Sequence, residues 1–141
     1  AIGDAPRDIG GALFFVDLDN LKPLNDRLGH EAGDAALRMT AQLLRDAAGE
    51  RELAARFGGD EFTLWLPGAT EAEAIAQAEA LIAAVTEQPP DAAALQFSIG
   101  LAWRPAGASE GAGHLVARAD AALYEAKRSG RGRWRLAEPP T

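Results

Sequence analysis

Apolar and polar positions along the chain keep two rhythms. Residues 12–19 read Ala12-Leu13-Phe14-Phe15-Val16-Asp17-Leu18-Asp19, an apolar run that closes on two carboxylates spaced two apart. Strand alternation puts Asp17 and Asp19 on one face and Val16 and Leu18 on the other, and the run predicts a buried central strand. Leu95, Phe97, Ile99, Leu101 and Trp103 alternate without a fault and predict a strand with one face in the core. Two shorter runs, Leu53 to Phe57 and Glu61 to Leu66, flank Gly58-Gly59. A Gly-Gly pair between apolar runs predicts a two-residue hairpin, because both turn positions accept positive φ. Asp60 and Glu61 then open the returning strand and face opposite ways. Arg133 to Leu136 reads as a short edge strand.

The other rhythm is helical. Asn20 to Gly29 contains Pro23, whose fixed φ suits a first helical turn, and Gly29 can end the piece. His30 leads into a longer helix to about Ala48, with Ala36, Leu37, Leu43 and Leu44 inward and Arg38, Gln42, Arg45 and Asp46 outward. Gly49 is a natural stop. Thr70-Glu71-Ala72-Glu73 is a capping box that opens a helix with the apolar face Ile75, Ala78, Ile82 and Val85. The last helix runs from about His114 to Arg128, buries Leu115, Ala119, Ala122, Leu123 and Ala126, and ends at Ser129-Gly130. Residues 1–10 read as a frayed lead-in, Arg104 to Gly113 as a small-residue connection, and the Pro-Pro tail as disordered.

The order β-α-α-β-β-α-β-α-β predicts an α/β (α+β) domain of the βαββαβ style, with helices over a mixed, mainly antiparallel sheet. The length of 141 residues fits one domain, 1–141, with an ordered core of about 12–136. Hydrophobic and charged contents of 48% and 25% are those of an ordinary globular chain. A net charge of −7 argues against nucleic acid as partner, since that binding rests on clustered Lys and Arg. Without cysteine, disulfides, thiolate nucleophiles and Cys-based zinc sites are excluded, and a reducing cytoplasm fits. The chain opens on Ala1 rather than Met, as expected of a domain cut from a longer protein.

Candidate chemistry rests on carboxylates. Asp17 and Asp19 at a strand end either cap the next segment or present oxygen ligands to a divalent cation. Asp60 and Glu61 are either solvated turn residues or part of the same site. Lys127, Arg128, Arg131, Arg133 and Arg135 form a basic end that suits the helix dipole.

Gly58-Gly59-Asp60-Glu61-Phe62 resembles the signature of the GGDEF family, the diguanylate cyclases. The resemblance covers about residues 12 to 136. It extends to Asp17-Leu18-Asp19-Asn20-Leu21-Lys22, to Asn25 with Gly29-His30 and Gly33-Asp34, to Ser98-Ile99-Gly100, and to Ala119 through Tyr124 with Lys127 and Gly130-Arg131. It implies a fold like the palm of adenylyl cyclases and polymerases, with a ferredoxin-type core. It implies that two GTP molecules condense to cyclic di-GMP and two pyrophosphates by two-metal chemistry at a homodimer of half-sites. Asp17, the Leu18 carbonyl, Asp60 and Glu61 would hold two Mg²⁺ ions per half-site, or Mn²⁺ in their place. Asp60, Glu61 and Lys22 would serve catalysis. Asn25 and Asp34 would read the guanine edge, Gly58 and Gly59 would let the backbone approach the α-phosphate, and Lys127 and Arg131 would contact the terminal phosphates. Arg128, Arg133, Arg135, His30 and His114 are assigned local structural roles. Asp17 is expected opposite Asp60 across the sheet.

The family's pattern is not complete. Leu21 stands where an aromatic residue is frequent, and Pro23 is unusual. No Arg-x-x-Asp occurs in the sequence; Gly49 and Glu52 hold the positions where relatives carry this product-inhibition site. A turn of the form Asp-x-Leu-Thr-Gly-Leu-x-Asn-Arg, to which dimerisation and full activity are tied, is also missing. The resemblance further implies a covalently linked sensor, a cytoplasmic location even where that sensor is membrane-bound, and, as the alternative to catalysis, an inactive GTP-binding regulatory module.

Overall fold

The computed structural model describes residues 10–19, 21–48, 53–58, 61–86 and 96–139. Its elements keep the expected order: β1 (Gly11–Asp19), α1 (Leu21–Leu28), α2 (His30–Ala48), β2 (Leu53–Gly58), β3 (Glu61–Pro67), α3 (Glu71–Thr86), β4 (Gln96–Arg104), α4 (Ala112–Arg128) and β5 (Trp134–Leu136). The sheet runs β2-β3-β1-β4-β5. All neighbours are antiparallel except β4 and β5. The first four strands therefore have the ferredoxin-type order, with the apolar β1 at the centre.

The sheet is covered on both faces. Ala12, Phe14, Val16 and Leu18 of β1 join Leu64, Phe97 and Ile99 in one core with Ala36 and Leu44 of α2 and Ala74, Ala78 and Leu81 of α3. Leu13 points the other way and packs with Trp65 and Ala102 under Leu115 and Ala119 of α4, with Phe15 against them. The alternation along β1 thus sends Asp17 and Asp19 to the α4 side. The expectation that β4 buries one face is corrected: Phe97 to Ala102 are all buried, because α3 and α4 close on it from opposite sides.

Local chemistry explains the boundaries. Gly29 takes φ +91 between α1 and α2, and its N–H donates to the Asn25 carbonyl at 2.7 Å. The capping box of α3 forms in both directions: the Thr70 N–H donates to Glu73 Oε1 at 2.9 Å and the Glu73 N–H to Thr70 Oγ1 at 3.1 Å. The inward face of α3 is rotated from the expected one towards Ala74, Ala78 and Leu81, which leaves Ile75 and Ile82 half-buried. Gly10, expected to be frayed, is buried and its carbonyl accepts from the Gly68 N–H at 2.7 Å. The expected stop at Gly49, the side chain of Val85, residues 1–9 and the last two residues lie outside the described part of the chain.

Two hairpin expectations are corrected. Gly58, expected in the turn, is the last residue of β2 and pairs with Glu61, while Gly59 and Asp60 lie outside the described residues. A register shift between Arg56 and Gly58 absorbs the difference. Separately, Asp17 stands opposite Glu61 on β3, not opposite Asp60.

Candidate functional site

The carboxylates of β1 meet the basic end of α4. Asp17 is 6% exposed and Asp19 fully buried. Lys127 Nζ lies 2.5 Å from Asp17 Oδ2 and 3.7 Å from Asp19 Oδ1. Arg131 Nη1 donates to Asp19 Oδ1 at 3.2 Å. Ser98 Oγ and the Gly132 N–H donate to Asp19 Oδ2 at 2.7 and 3.0 Å. Burial of two carboxylates is costly unless cations and hydrogen bonds compensate, and here the cations come from one helix end.

One missing side chain makes this contact. Gly100 is the β4 partner of Phe15. A Cβ on Gly100 would press into the Ala119 carbonyl oxygen and the Leu123 amide nitrogen. The α4 backbone therefore rests directly on the sheet, and Lys127, one turn beyond Leu123, reaches Asp17. Past Arg128 the helix ends in a Schellman motif: the Arg131 N–H donates to the Ala126 carbonyl at 3.0 Å and the Gly130 N–H to the Lys127 carbonyl at 3.4 Å.

Across β1 and α1 lies a second group. Lys22 is exposed in the first turn of α1, three residues beyond Asp19. Asn25 packs against Gly33 of α2, where any Cβ would collide with Asn25 Oδ1. Asn25 Oδ1 is buried without a hydrogen-bond partner. Asp34, beside Gly33, is exposed.

The structure thus brings Asp17, Lys127 and Arg131 together, with Glu61 exposed on the neighbouring strand and Leu18 buried next to Asp17 in sequence. Gly59 and Asp60 lie outside the described residues, and Gly58 is described only as the end of β2. Among the described residues no cluster of three or more His, Asp or Glu is arranged around a metal position. The donor chemistry nevertheless fits Mg²⁺: Asp17 and Glu61 offer carboxylates, Leu18 a carbonyl, and Asp17 already attracts a cationic group. Asp19, expected with Asp17 either to cap the next segment or to face a cation, instead accepts bonds from Ser98, Arg131 and Gly132, and Ser98 had been assigned no role of its own.

The remaining basic residues behave as surface groups. Arg128 donates to Glu125 at 3.1 Å, and this bond holds its pKa above the ordinary value. Arg133 and Arg135 donate to the carbonyls of Arg131 and Trp134. His30 opens α2 and is exposed. At the opposite end of the sheet a second polar cluster went unforeseen. Arg104 is buried with its guanidinium 5.6 Å from the Trp65 ring and donates to the Glu110 carbonyl at 2.9 Å. The Glu110 carboxylate accepts from Arg118 at 2.7 and 2.9 Å and lies 2.6 Å from His114 Nδ1. The Arg118 bond, aided by His114 and opposed by burial, holds the Glu110 carboxyl below the usual carboxylate range. Arg118 also donates to the carbonyls of Trp103 and Glu138, which ties down the segment after β5. No described helix is long and apolar enough to cross a membrane.

Comparison with known proteins gives a consistent picture. The family model described as diguanylate cyclase, GGDEF domain, matches residues 4–133. The diguanylate cyclase TpbB of Pseudomonas aeruginosa is 42% identical over 134 residues, 90% of this chain and 30% of that protein. The probable diguanylate cyclase DgcE of Escherichia coli is 37% identical over 138 residues, 91% of this chain and 12% of that protein. The chain thus spans less than a third of these curated relatives. The crystal structure of the GGDEF domain of DgcB from Caulobacter crescentus in complex with c-di-GMP superposes with a TM-score of 0.83 at 32% identity, covering 93% of this chain and 80% of that one. The GGDEF domain of TpbB superposes at 0.81 with 39% identity, covering 94% and 84%.

Proposed function

The chain belongs to the GGDEF family of diguanylate cyclases, and from that membership we propose that it is the catalytic domain of such a cyclase, condensing two GTP into cyclic di-GMP and two pyrophosphates. The observation that carries the proposal is the meeting of Asp17 with Lys127 at the end of β1, with Glu61 opposite across the sheet. Anionic metal ligands and a cation suited to phosphate occupy one place, as phosphoryl chemistry on a triphosphate requires.

Asp17, the Leu18 carbonyl, Asp60 and Glu61 would hold two Mg²⁺ ions, which when bound supply charge neutralisation for an attacking 3′-hydroxyl and a departing pyrophosphate. Asp34 accepts from guanine N1–H and the exocyclic amine, a donor pattern that adenine lacks, while Asn25 Oδ1 accepts from the same edge. Lys22, Lys127 and Arg131 hold the phosphates as charge-assisted donors. Gly58 and Gly59 let the backbone approach the α-phosphate. Glu61 helps to remove the hydroxyl proton. Each subunit carries one GTP, and two subunits face each other antiparallel. The 3′-oxygen of each GTP bonds to the other's α-phosphorus as the bond to pyrophosphate breaks, twice per product.

Catalysis, rather than GTP binding alone, is favoured because the sequence retains Asp17, Asp60 and Glu61 together. Product feedback through an Arg-x-x-Asp site is not expected, because the sequence contains none. GTP as substrate fits a cytoplasmic domain, and the short share of each relative that is covered fits linkage to a sensor or regulatory domain. The test is product analysis after incubation with GTP and Mg²⁺: cyclic di-GMP with two pyrophosphates per molecule is expected, and none from Asp17→Asn. GTP bound and released unchanged would overturn catalysis.

A further inference from the structure

We propose that Asp19 and Ser98 are positioning residues for the triphosphate: together they fix the turn after α4 so that Lys127 and Arg131 face the phosphates. The inference rests on the functional reading above and adds two residues to it. Asp19 sits on β1, beside the metal-ligand candidate Asp17, yet its own contacts are those of an anchor. Fully buried, it accepts hydrogen bonds from Ser98, Arg131 and Gly132. Its two oxygens divide the work. Oδ2 accepts from Ser98 Oγ on β4 and from the backbone N–H of Gly132. Oδ1 faces Arg131 Nη1 and, at 3.7 Å, Lys127 Nζ.

The turn needs such an anchor. Gly130, Arg131 and Gly132 have φ of +131, +62 and +59, and Arg131 is the non-glycine residue with positive φ among those described. A side-chain-bearing residue in the left-handed region is strained and persists only when its surroundings hold it there. Two clamps bracket Arg131: the Schellman bond from its own N–H to Ala126, and the bond from the next N–H, that of Gly132, to Asp19. Between them the side chain is half exposed, with one guanidinium nitrogen on Asp19 and the fork's other donors open to a ligand. Ser98 orients the Asp19 carboxylate in turn, and its position opposite Asp17 on β4 makes that orientation part of the sheet register.

The experiment measures binding of 3′-deoxy-GTP, which cannot be cyclised, and of GMP, which lacks the terminal phosphates, to wild type, Asp19→Asn, Ser98→Ala, Arg131→Ala and the double variant Asp19→Asn/Arg131→Ala. Thermal unfolding of each is followed in parallel. Asp19→Asn is expected to weaken 3′-deoxy-GTP by about tenfold and Ser98→Ala by about threefold, with GMP changed less than about twofold. The double variant should lose clearly less than the sum of the two single losses, because Asp19 acts in large part through Arg131. Ser98→Ala keeps the charge of the site and carries the test if Asp19→Asn unfolds. Equal losses for GMP and 3′-deoxy-GTP, additive losses in the double variant, or tighter triphosphate binding on removal of the Asp19 charge would each overturn the inference. Wild type that fails to bind 3′-deoxy-GTP would overturn the functional reading and this inference with it. Wild type that binds beside unaffected variants would overturn the inference alone.

Discussion

The ammonium of Lys127 lies 2.5 Å from Asp17 Oδ2, the carboxylate that faces Glu61 across β1 and β3. A side-chain cation therefore holds an oxygen of the proposed metal site. In the proposed site, Mg²⁺ held by Asp17 and a phosphate held by Lys127 would have to part this pair.

That exchange predicts an effect without nucleotide. Lys127→Met removes the competing cation, and Mn²⁺ affinity of the nucleotide-free protein is expected to rise about threefold to tenfold, the scale of one partly buried charge pair. Titration of Mn²⁺ by its electron paramagnetic resonance signal reads this directly. Unchanged affinity would mean that Lys127 does not compete for Asp17.

Gly100 sets how close α4 comes to the sheet. In Gly100→Ala the new methyl meets backbone on both sides, at Ala119 and Leu123, and neither can rotate away. A loss of about 1–3 kcal/mol in urea unfolding is expected from such overpacking, with weaker GTP binding as Lys127 is displaced. Stability and binding both at wild-type level would contradict the close approach.

Gly33→Ala should separate function from stability. The methyl collides with the Asn25 side chain, which can swing aside, and alanine suits a helix interior better than glycine by about 1 kcal/mol. The expected outcome is a chain at least as stable as wild type, a raised KM for GTP and reduced preference for GTP over ATP. Steady-state kinetics with both nucleotides checks it, and unchanged base preference would remove Asn25 from guanine recognition.

Glu110 gives the fold a pH dependence. Its carboxyl is held below the ordinary range in the folded state, chiefly by Arg118, so its contribution is present above the unfolded value. That contribution fades as pH falls through the lowered folded value. Glu110→Gln should lower stability near neutral pH and flatten its decline as pH falls through and below the ordinary carboxylate value of 4.5. Parallel urea titrations of the two proteins at those pH values read the slopes, and equal slopes would contradict the assignment.

Much of this was legible in the sequence, and the exceptions have physical causes. The elements of the described residues and their order come from apolar rhythm, because both strands and helices bury one kind of face at a fixed period. β2 runs on through Gly58 because glycine fits a strand end as well as a turn, and the pairing reaches Gly58 through the irregularity after Arg56. Asp19 was visible as a face partner of Asp17, but its bond to Gly132, 113 residues away, depends on how α4 crosses the sheet. The Glu110–Arg118 cluster was equally hidden, since a loop glutamate and a helical arginine carry no periodic signal of their pairing. The GGDEF resemblance named Asp17, Lys127 and Arg131, and the fold brings those three together.

The proposed meeting of two half-sites is tested most directly by the rate of cyclic di-GMP formation as a function of protein concentration. With saturating GTP and Mg²⁺, the rate is expected to rise more steeply than linearly with protein and to vanish in Asp60→Ala. A strictly linear dependence extending to concentrations where the protein is monomeric, or GTP binding with no product at any concentration, would contradict it.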